Sequence, residues 1–302
     1  MSNPIRQHIV PQSYLKNFSN KKKNQYKIYA LSKNKKNNIF EVNIANISLE
    51  LNYYTVNKLE DKFAWEKFYA EKVEPSMSIT IQKLIKLSNI IIIENFSQIL
   101  SFDLKVNLSF IMIIQMLRGN HTRDYQRKVF EDISPKVVND TKEAFYGKGD
   151  PIIDNILDNF QISNDLFKLA IMYTSINMKS ISNYANTLLQ KTWVLFKITD
   201  DEFFITSDEP VLIMNKDSLD STPFKHGISN NTTVIFYPIS PKLMIALYSP
   251  NMLSGFMKYN DNSLIYIDKK EKIFINLINN NQLEHCYRHV YSNDRPSLEN
   301  LK

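Results

Sequence analysis

The spacing of apolar residues changes character near residue 190, and this restricts the fold more than any other feature of the chain. From Leu59 to Gln190 they recur at helical spacing; from Trp193 they alternate or run together in short segments. The segment Leu104–Leu117 contains Phe110-Ile111-Met112-Ile113-Ile114, which predicts a buried central helix. Ser101 and Asp103 mark its start. Other helices are expected over 59–74, 78–87, 122–145 and from a Ser163 cap to about Gln190. Pro75 should break or kink the first pair, and Gly147, Gly149 and Pro151 mark a loop. Strands are expected at 193–198, 203–206, 211–214, 232–237, 242–248 and 264–267. A last helix over 269–283 and a returning strand at His289–Ser292 follow. Before the helical block, Tyr26–Leu31 and Ile39–Ile47 read as strands joined by a turn. Strands flanking a helical block imply an α+β chain. We expect the N-terminal β-hairpin to join a C-terminal, mostly antiparallel sheet, with a central helical bundle. The whole is expected to form a single domain over 1–302, with sub-regions 1–57, 58–190 and 191–302.

Composition excludes several classes. The 302 residues contain only five glycines and no Gly-x-Gly-x-x-Gly or P-loop pattern, which disfavours a nucleotide-binding doubly wound fold. The single Cys286 excludes an intramolecular disulfide framework and a multi-Cys zinc site. No signal pattern opens the chain, and no apolar stretch reaches spanning length, so no membrane association and a cytoplasmic location are expected. The net charge of +6 is unevenly placed. Arg6 and eight lysines against no acid give residues 1–40 a charge of +9, leaving −3 for the rest. A basic segment of this kind attracts phosphate, but lysines placed in turns are explained first as solvated charges.

Two stretches place polar residues at the edges of apolar elements. In residues 8–18, Pro11 suits the first turn of a short helix, with Val10, Tyr14, Leu15 and Phe18 on one face. In residues 203–211, an apolar strand runs into Ser207, Asp208 and Glu209, and Pro210 then fixes the backbone. Residues 215–231 form a polar loop long enough to act as a lid or binding loop. Gln115 and Arg118 share one side of the central helix end, and Glu66 and Glu74 lie about two turns apart. His285 and His289 are four apart, but Tyr287, Val290 and Tyr291 suggest a strand that would separate them as metal ligands.

These two stretches together resemble the bacterial DUF4238 family. The resemblance rests on His8, Val10, Pro11, Tyr14, Leu15 and Phe18, on Gln115 and Arg118, and on Thr206, Ser207, Asp208, Pro210 and Val211. Looser matches are Pro238-Ile239-Ser240-Pro241, Asn276, Tyr291 and Ser292. Ser13 departs from an expected aromatic residue, and Glu209 from a more typical Asn. The resemblance spans nearly the whole chain and implies no particular activity.

A set of His, Arg and carboxylates suits phosphoryl chemistry: His shuttles a proton, Arg holds phosphate, and Asp orients the His or binds a divalent metal. The leading expectation is therefore a phosphodiesterase or nuclease acting on nucleic acid, RNA above all, in a toxin or phage-defence role. His8, Arg118, Asp208 and Ser207 are its candidate catalytic residues, with Gln115, Tyr14, Glu74 and Thr206 contacting substrate and a divalent metal as the candidate cofactor. The alternative is a non-catalytic module whose pocket around Asp208 binds a small ligand or a partner segment under the 215–231 loop, with a structural His/Arg/Asp network; a protein partner or a homo-oligomer is the partner expected besides nucleic acid. The first reading needs His8, Arg118 and Asp208 within about 10 Å, the span of a small-molecule pocket, with hydrogen bonds inside the group.

Overall fold

The computed structural model describes residues 5–90, 99–145, 163–250 and 260–301, together with 152 and 155. The loop expected around Gly147, Gly149 and Pro151 lies outside the described residues. Helix α1 (Gln12–Leu15) follows Pro11 and buries Tyr14 and Leu15. Helix α2 (Ala64–Phe68) passes through a π-turn, Tyr69–Val73, directly into α3 (Glu74–Ile90). Pro75 therefore does not break the helix as expected. It sits in the first turn of α3, and the wider π-turn before it accommodates a residue with no N–H to donate.

The central helix α4 (Phe102–Leu117) opens on Ser101, whose hydroxyl accepts from the Leu104 amide at 3.3 Å. A charged helix, α5 (Asn120–Phe145), follows at once. The single long helix expected after Ser163 is two: α6 (Asn164–Ile176) and α7 (Met178–Leu189). Asn177 between them adopts an extended ψ of 101°, and its side chain accepts from the Ser180 amide at 3.1 Å. A short amide side chain that caps the next helix competes with continuation of the first.

Strands β1 (Arg6–His8), β2 (Asn20–Lys22), β3 (Gln25–Ser32), β4 (Lys35–Asn43) and β5 (Leu49–Leu51) precede the helices. After them come β6 (Thr192–Ile198), β7 (Thr206–Ser207), β8 (Leu212–Asn215), β9 (Thr233–Ser240), β10 (Leu243–Tyr248) and β11 (Ser263–Ile267). Helix α8 (Lys272–His285), β12 (His289–Ser292) and a short α9 (Arg295–Glu299) complete the chain. The α+β class stands. The late strands, however, divide between two sheets. One has the order β11-β6-β10-β9-β8, antiparallel except where β11 meets β6. The other has the order β2-β3-β12-β7 with β4 on β3, so the N-terminal hairpin joins only β12 and β7 of the later strands. A third, two-stranded sheet pairs β1 with β5.

The largest apolar cluster draws on all parts of the chain: Val10 and Phe18, Leu84 and Met112, Leu188, and Trp193, Ile245 and Tyr291. Each such side chain contributes roughly 1.5–3 kcal/mol on burial. Trp193 also satisfies its indole N–H on the Leu188 carbonyl at 3.0 Å, tying the first sheet to the end of α7. Among the described residues no helix is long and apolar enough to cross a membrane.

Candidate functional site

The strand-end corner at 203–211 is built by α8. Asn279 accepts from the Ile205 amide at 3.0 Å and donates to the Phe203 carbonyl at 2.9 Å, occupying groups that a ladder would otherwise pair. Only Thr206 and Ser207 therefore form a strand, shorter than the expected 203–206. Gln282, one turn along α8, accepts from Ser207 Oγ at 2.8 Å and donates to the Pro210 carbonyl at 3.1 Å. Ser207 Oγ also accepts from the Glu209 amide at 3.1 Å and is fully buried. Its hydroxyl proton is on Gln282, with no base beside it. Thr206 Oγ1 shares a 2.8 Å hydrogen bond with Tyr14, whose hydroxyl also donates to the Pro238 carbonyl.

Asp208 turns inward. Its carboxylate accepts from the amides of Tyr287, Arg288 and His289 at 2.9, 2.7 and 3.1 Å. Burial pushes its pKa up to about 6, opposed by those three amides and by Arg288. The side chain thus anchors the turn that delivers β12 to its sheet.

Arg118 closes the C-terminal end of α4 and is buried. Its Nε donates to Tyr54 Oη at 3.1 Å and its Nη2 to the His8 carbonyl at 2.6 Å and to Glu74 at 3.2 Å. Its guanidinium lies 4.4 Å from the Tyr69 ring centroid. His8 is held neutral: burial lowers its pKa to about 4, and Arg118 and Arg6 add to that. Burial raises Glu66 to about 7, against the pull of Arg118. His8 and Arg118 are thus joined through the His8 carbonyl rather than its ring. The hydrogen bond expected within the group joins two of its members, Arg118 and His8; Asp208 bonds neither of them. Each partner is offset locally, Arg118 by Glu74 and Asp208 by backbone amides, so desolvation does not require them to meet.

A cavity of about 440 Å³ opens on the other side of the corner. Its walls are the end of α4, the start of α5, Tyr184 of α7, the segment Glu209–Val211 between β7 and β8, Ile213, the loop residues 223, 224 and 226–229, and His285. Tyr125, Tyr184 and Phe224 form its rim and are about half exposed, at 50, 47 and 49%. Tyr125 and Phe224 stack at 4.6 Å between centroids. The 215–231 loop is braced over it. Asp220 takes the Thr222 amide at 2.9 Å and forms an ion pair with Lys225, which holds its carboxyl well below the usual range. Phe224 sits at φ 61°, a left-handed backbone costing a bulky residue about 1–2 kcal/mol. His285 Nδ1 donates to the Ser221 carbonyl at 2.9 Å and pins the loop.

The polar end of the cavity is set by Glu209. Its Oε1 accepts from the His121 amide at 3.0 Å at the start of α5. Its Oε2 lies where Gly119 leaves room: a β-carbon there would be 2.1 Å away. Gly119→Ala should therefore evict the Glu209 carboxyl and destabilise the protein by roughly 1–3 kcal/mol, read by urea denaturation. An unchanged midpoint would contradict this packing.

Burial raises the Glu209 pKa from 4.5 to about 8, with Asp208 adding to the rise. Between those values the folded protein retains a proton that the unfolded chain releases, so this group's contribution to stability falls as pH rises. Glu209→Gln should remove that slope and gain roughly 2–4 kcal/mol over wild type at pH 8.5 relative to pH 4.5. Melting of both proteins across this range checks it; parallel curves would refute it.

Of the expected site residues, only Gln115 lines the cavity. Tyr14, Thr206, Ser207 and Asp208 hold the corner together, while His8, Glu74 and Arg118 gather beyond α4. Glu209, His121, Gln126 and His285 are the residues that sequence reasoning did not assign to a pocket. The long polar loop was the available signal, since something must lie beneath it. The helix asparagine matched at Asn276 is exposed; Asn279, three residues on, grips the strand. Among the described residues no group of three or more His, Cys, Asp or Glu could hold a metal.

The fold and site define an α+β protein with a loop-covered pocket at a strand end. Residues 6–296 match the family model described as a protein of unknown function, DUF4238, and the chain belongs to that family. No curated protein and no solved structure matches it.

Proposed function

We propose that this protein is a binding module for a small ligand, held beneath the 215–231 loop. The observation that carries this reading is the 440 Å³ cavity itself, a size typical of small-molecule sites, with a mostly apolar wall and a few polar groups at one end. Among the described residues its lining contains no Lys or Arg, which leaves a phosphate without a counter-charge there. The basic N-terminal segment is partly occupied: Lys22 and Lys27 pair with Glu41, and Lys33 donates to the carbonyls of Glu284 and Cys286. The test is thermal shift against metabolites, nucleotides and metal ions, with Ile228→Trp as a cavity-filling control. A ligand that stabilises wild type but not Ile228→Trp supports the reading. If nothing stabilises wild type, the reading falls.

The phosphodiesterase reading retains one supporting observation. Beside Arg118, the buried atoms His8 Nε2, Glu66 Oε2 and Arg118 Nη1 have no hydrogen-bond partner among the described residues. A proton-transferring pair beside one unpaired guanidinium nitrogen suits an anionic substrate. Incubation with total RNA, single-stranded and duplex DNA, with and without Mg²⁺ or Mn²⁺, tests it. Cleavage abolished in His8→Ala at unchanged melting temperature would establish it; no cleavage under any condition would remove it.

A further inference from the structure

The cavity beneath the loop has a one-sided hydrogen-bonding character, which follows from the partners outside it. Gln115 is 2% exposed, and its amide nitrogen faces the Ile9 carbonyl at 3.5 Å. A carbonyl can only accept, so the Gln115 nitrogen is committed outward and Oε1 is left over. That oxygen is buried and has no partner among the described residues. Gln126 repeats the arrangement. Its Nε2 donates to Thr174 Oγ1 at 3.0 Å, and Thr174 has already given its own proton to the Ile171 carbonyl at 2.9 Å. The Gln126 amide cannot therefore be reversed, and its Oε1 is also buried without a partner among the described residues.

One histidine leans the same way. His121 Nε2 faces the His285 carbonyl at 2.7 Å and must donate to it. Burial favours the neutral ring in both histidines; His121, whose Nε2 donates, keeps a lone pair on Nδ1, while the His285 ring is held between the carbonyls of Ser221 and Val211. Glu209 adds a carboxyl whose partners are backbone amides of α5 and not a cation. No Lys or Arg lines the space among the described residues. Half-exposed Tyr125, Tyr184 and Phe224 at the rim offer π-faces.

We infer that the pocket recognises an organic cation, a protonated amine or amidine on an apolar body, with its N–H groups on Glu209, Gln115 and Gln126. This rests on the pocket reading and specifies its ligand class. A donor-rich cation satisfies the two orphaned amide oxygens and neutralises the carboxylate in one step. An anion would meet the two orphaned oxygens with no Lys or Arg among the described lining residues to offset it, and a neutral apolar molecule would leave those oxygens unpaired. The carboxyl of Glu209, protonated when the pocket is empty, gives up its proton to solvent as the cation enters.

The test uses the intact protein and matched probes: benzamidine and phenethylamine, their neutral counterparts benzamide and phenethyl alcohol, and the anion benzoate. Calorimetry should show the cations binding at least about tenfold more tightly than the neutral probes, with benzoate weakest. Glu209→Gln should lower cation affinity by about tenfold while leaving neutral probes unchanged. Cation binding near pH 7 should also release protons, seen as an enthalpy that depends on the buffer. Gln115→Met gives a second variant with no change of charge, expected to weaken the cations several-fold. If cations and neutral probes bind equally, or if Glu209→Gln binds cations as wild type does, the cation proposal fails while the pocket reading stands. If no probe binds and the broader ligand panel also fails to stabilise the protein, both fail.

Discussion

Replacing Arg118 with Ala should destabilise the protein by about 3–5 kcal/mol, the cost of breaking a buried ion pair from one side. Three partners lose the guanidinium at once: Tyr54 Oη, Glu74 and the His8 carbonyl, which keeps only a 3.3 Å bond from Tyr54 Oη. The Tyr54 and Tyr69 rings lose the cation they flank, and the removed side chain leaves a void. Glu74 is partly exposed, so water recovers some of its loss; the His8 carbonyl and Tyr54 recover less. Arg118→Lys keeps the charge but not the planar fork, so it should restore only part of the stability. Urea denaturation of the three proteins measures this. A loss below about 1 kcal/mol, the usual worth of a surface ion pair, would show that Arg118 is not a keystone of the interior.

Asp208→Ala should have a comparable effect by a different route. It leaves the amides of Tyr287, Arg288 and His289 without an acceptor, and an unmet buried donor costs about 1–3 kcal/mol. Water admitted by the smaller side chain moderates the total to roughly 3–5 kcal/mol. The damage should be local as well as global. Those amides lead into β12, which pairs with both β3 and β7, so their exchange with solvent should accelerate before that of β6 or β10. Asp208→Asn retains one acceptor oxygen but turns an NH₂ toward a donor, and should fall between wild type and Ala. Unaltered protection at residues 287–289 in Asp208→Ala would contradict the anchoring role.

Together with the Arg118 result, this separates two explanations for the same motif residues. A network that holds the fold loses stability when cut. A catalytic group can be removed with little loss of stability, because strained and unsatisfied groups at active sites are retained at the expense of stability. His8→Ala is the informative contrast, since the ring Nε2 of His8 supports nothing else among the described residues.

What the sequence determined by itself is the set of elements and their class. Helical and strand periods are written locally, so α4 with its Ser101 cap, β6, β9, β10 and the loop at 215–231 were all legible. So was the inward character of Tyr14, Arg118 and Asp208, because polar groups at the edge of apolar segments need partners. Which partners they find is not local. Asp208 faces backbone amides some eighty residues later, and Arg118 faces a carbonyl and a carboxylate contributed by two earlier segments. Periodicity carries no record of such pairings. The division of the late strands between two sheets is equally non-local: it depends on β12 finding β3, across most of the chain. The π-turn before Pro75 and the break at Asn177 were decided by local backbone geometry that apolar spacing does not encode. The pocket depended most on tertiary structure. Gln115, Glu209, His121 and His285 come from the end of one helix, the bend between β7 and β8, the start of another helix and the end of a third. The acceptor character of Gln115 and His121 exists only because their donors are taken up elsewhere in the fold.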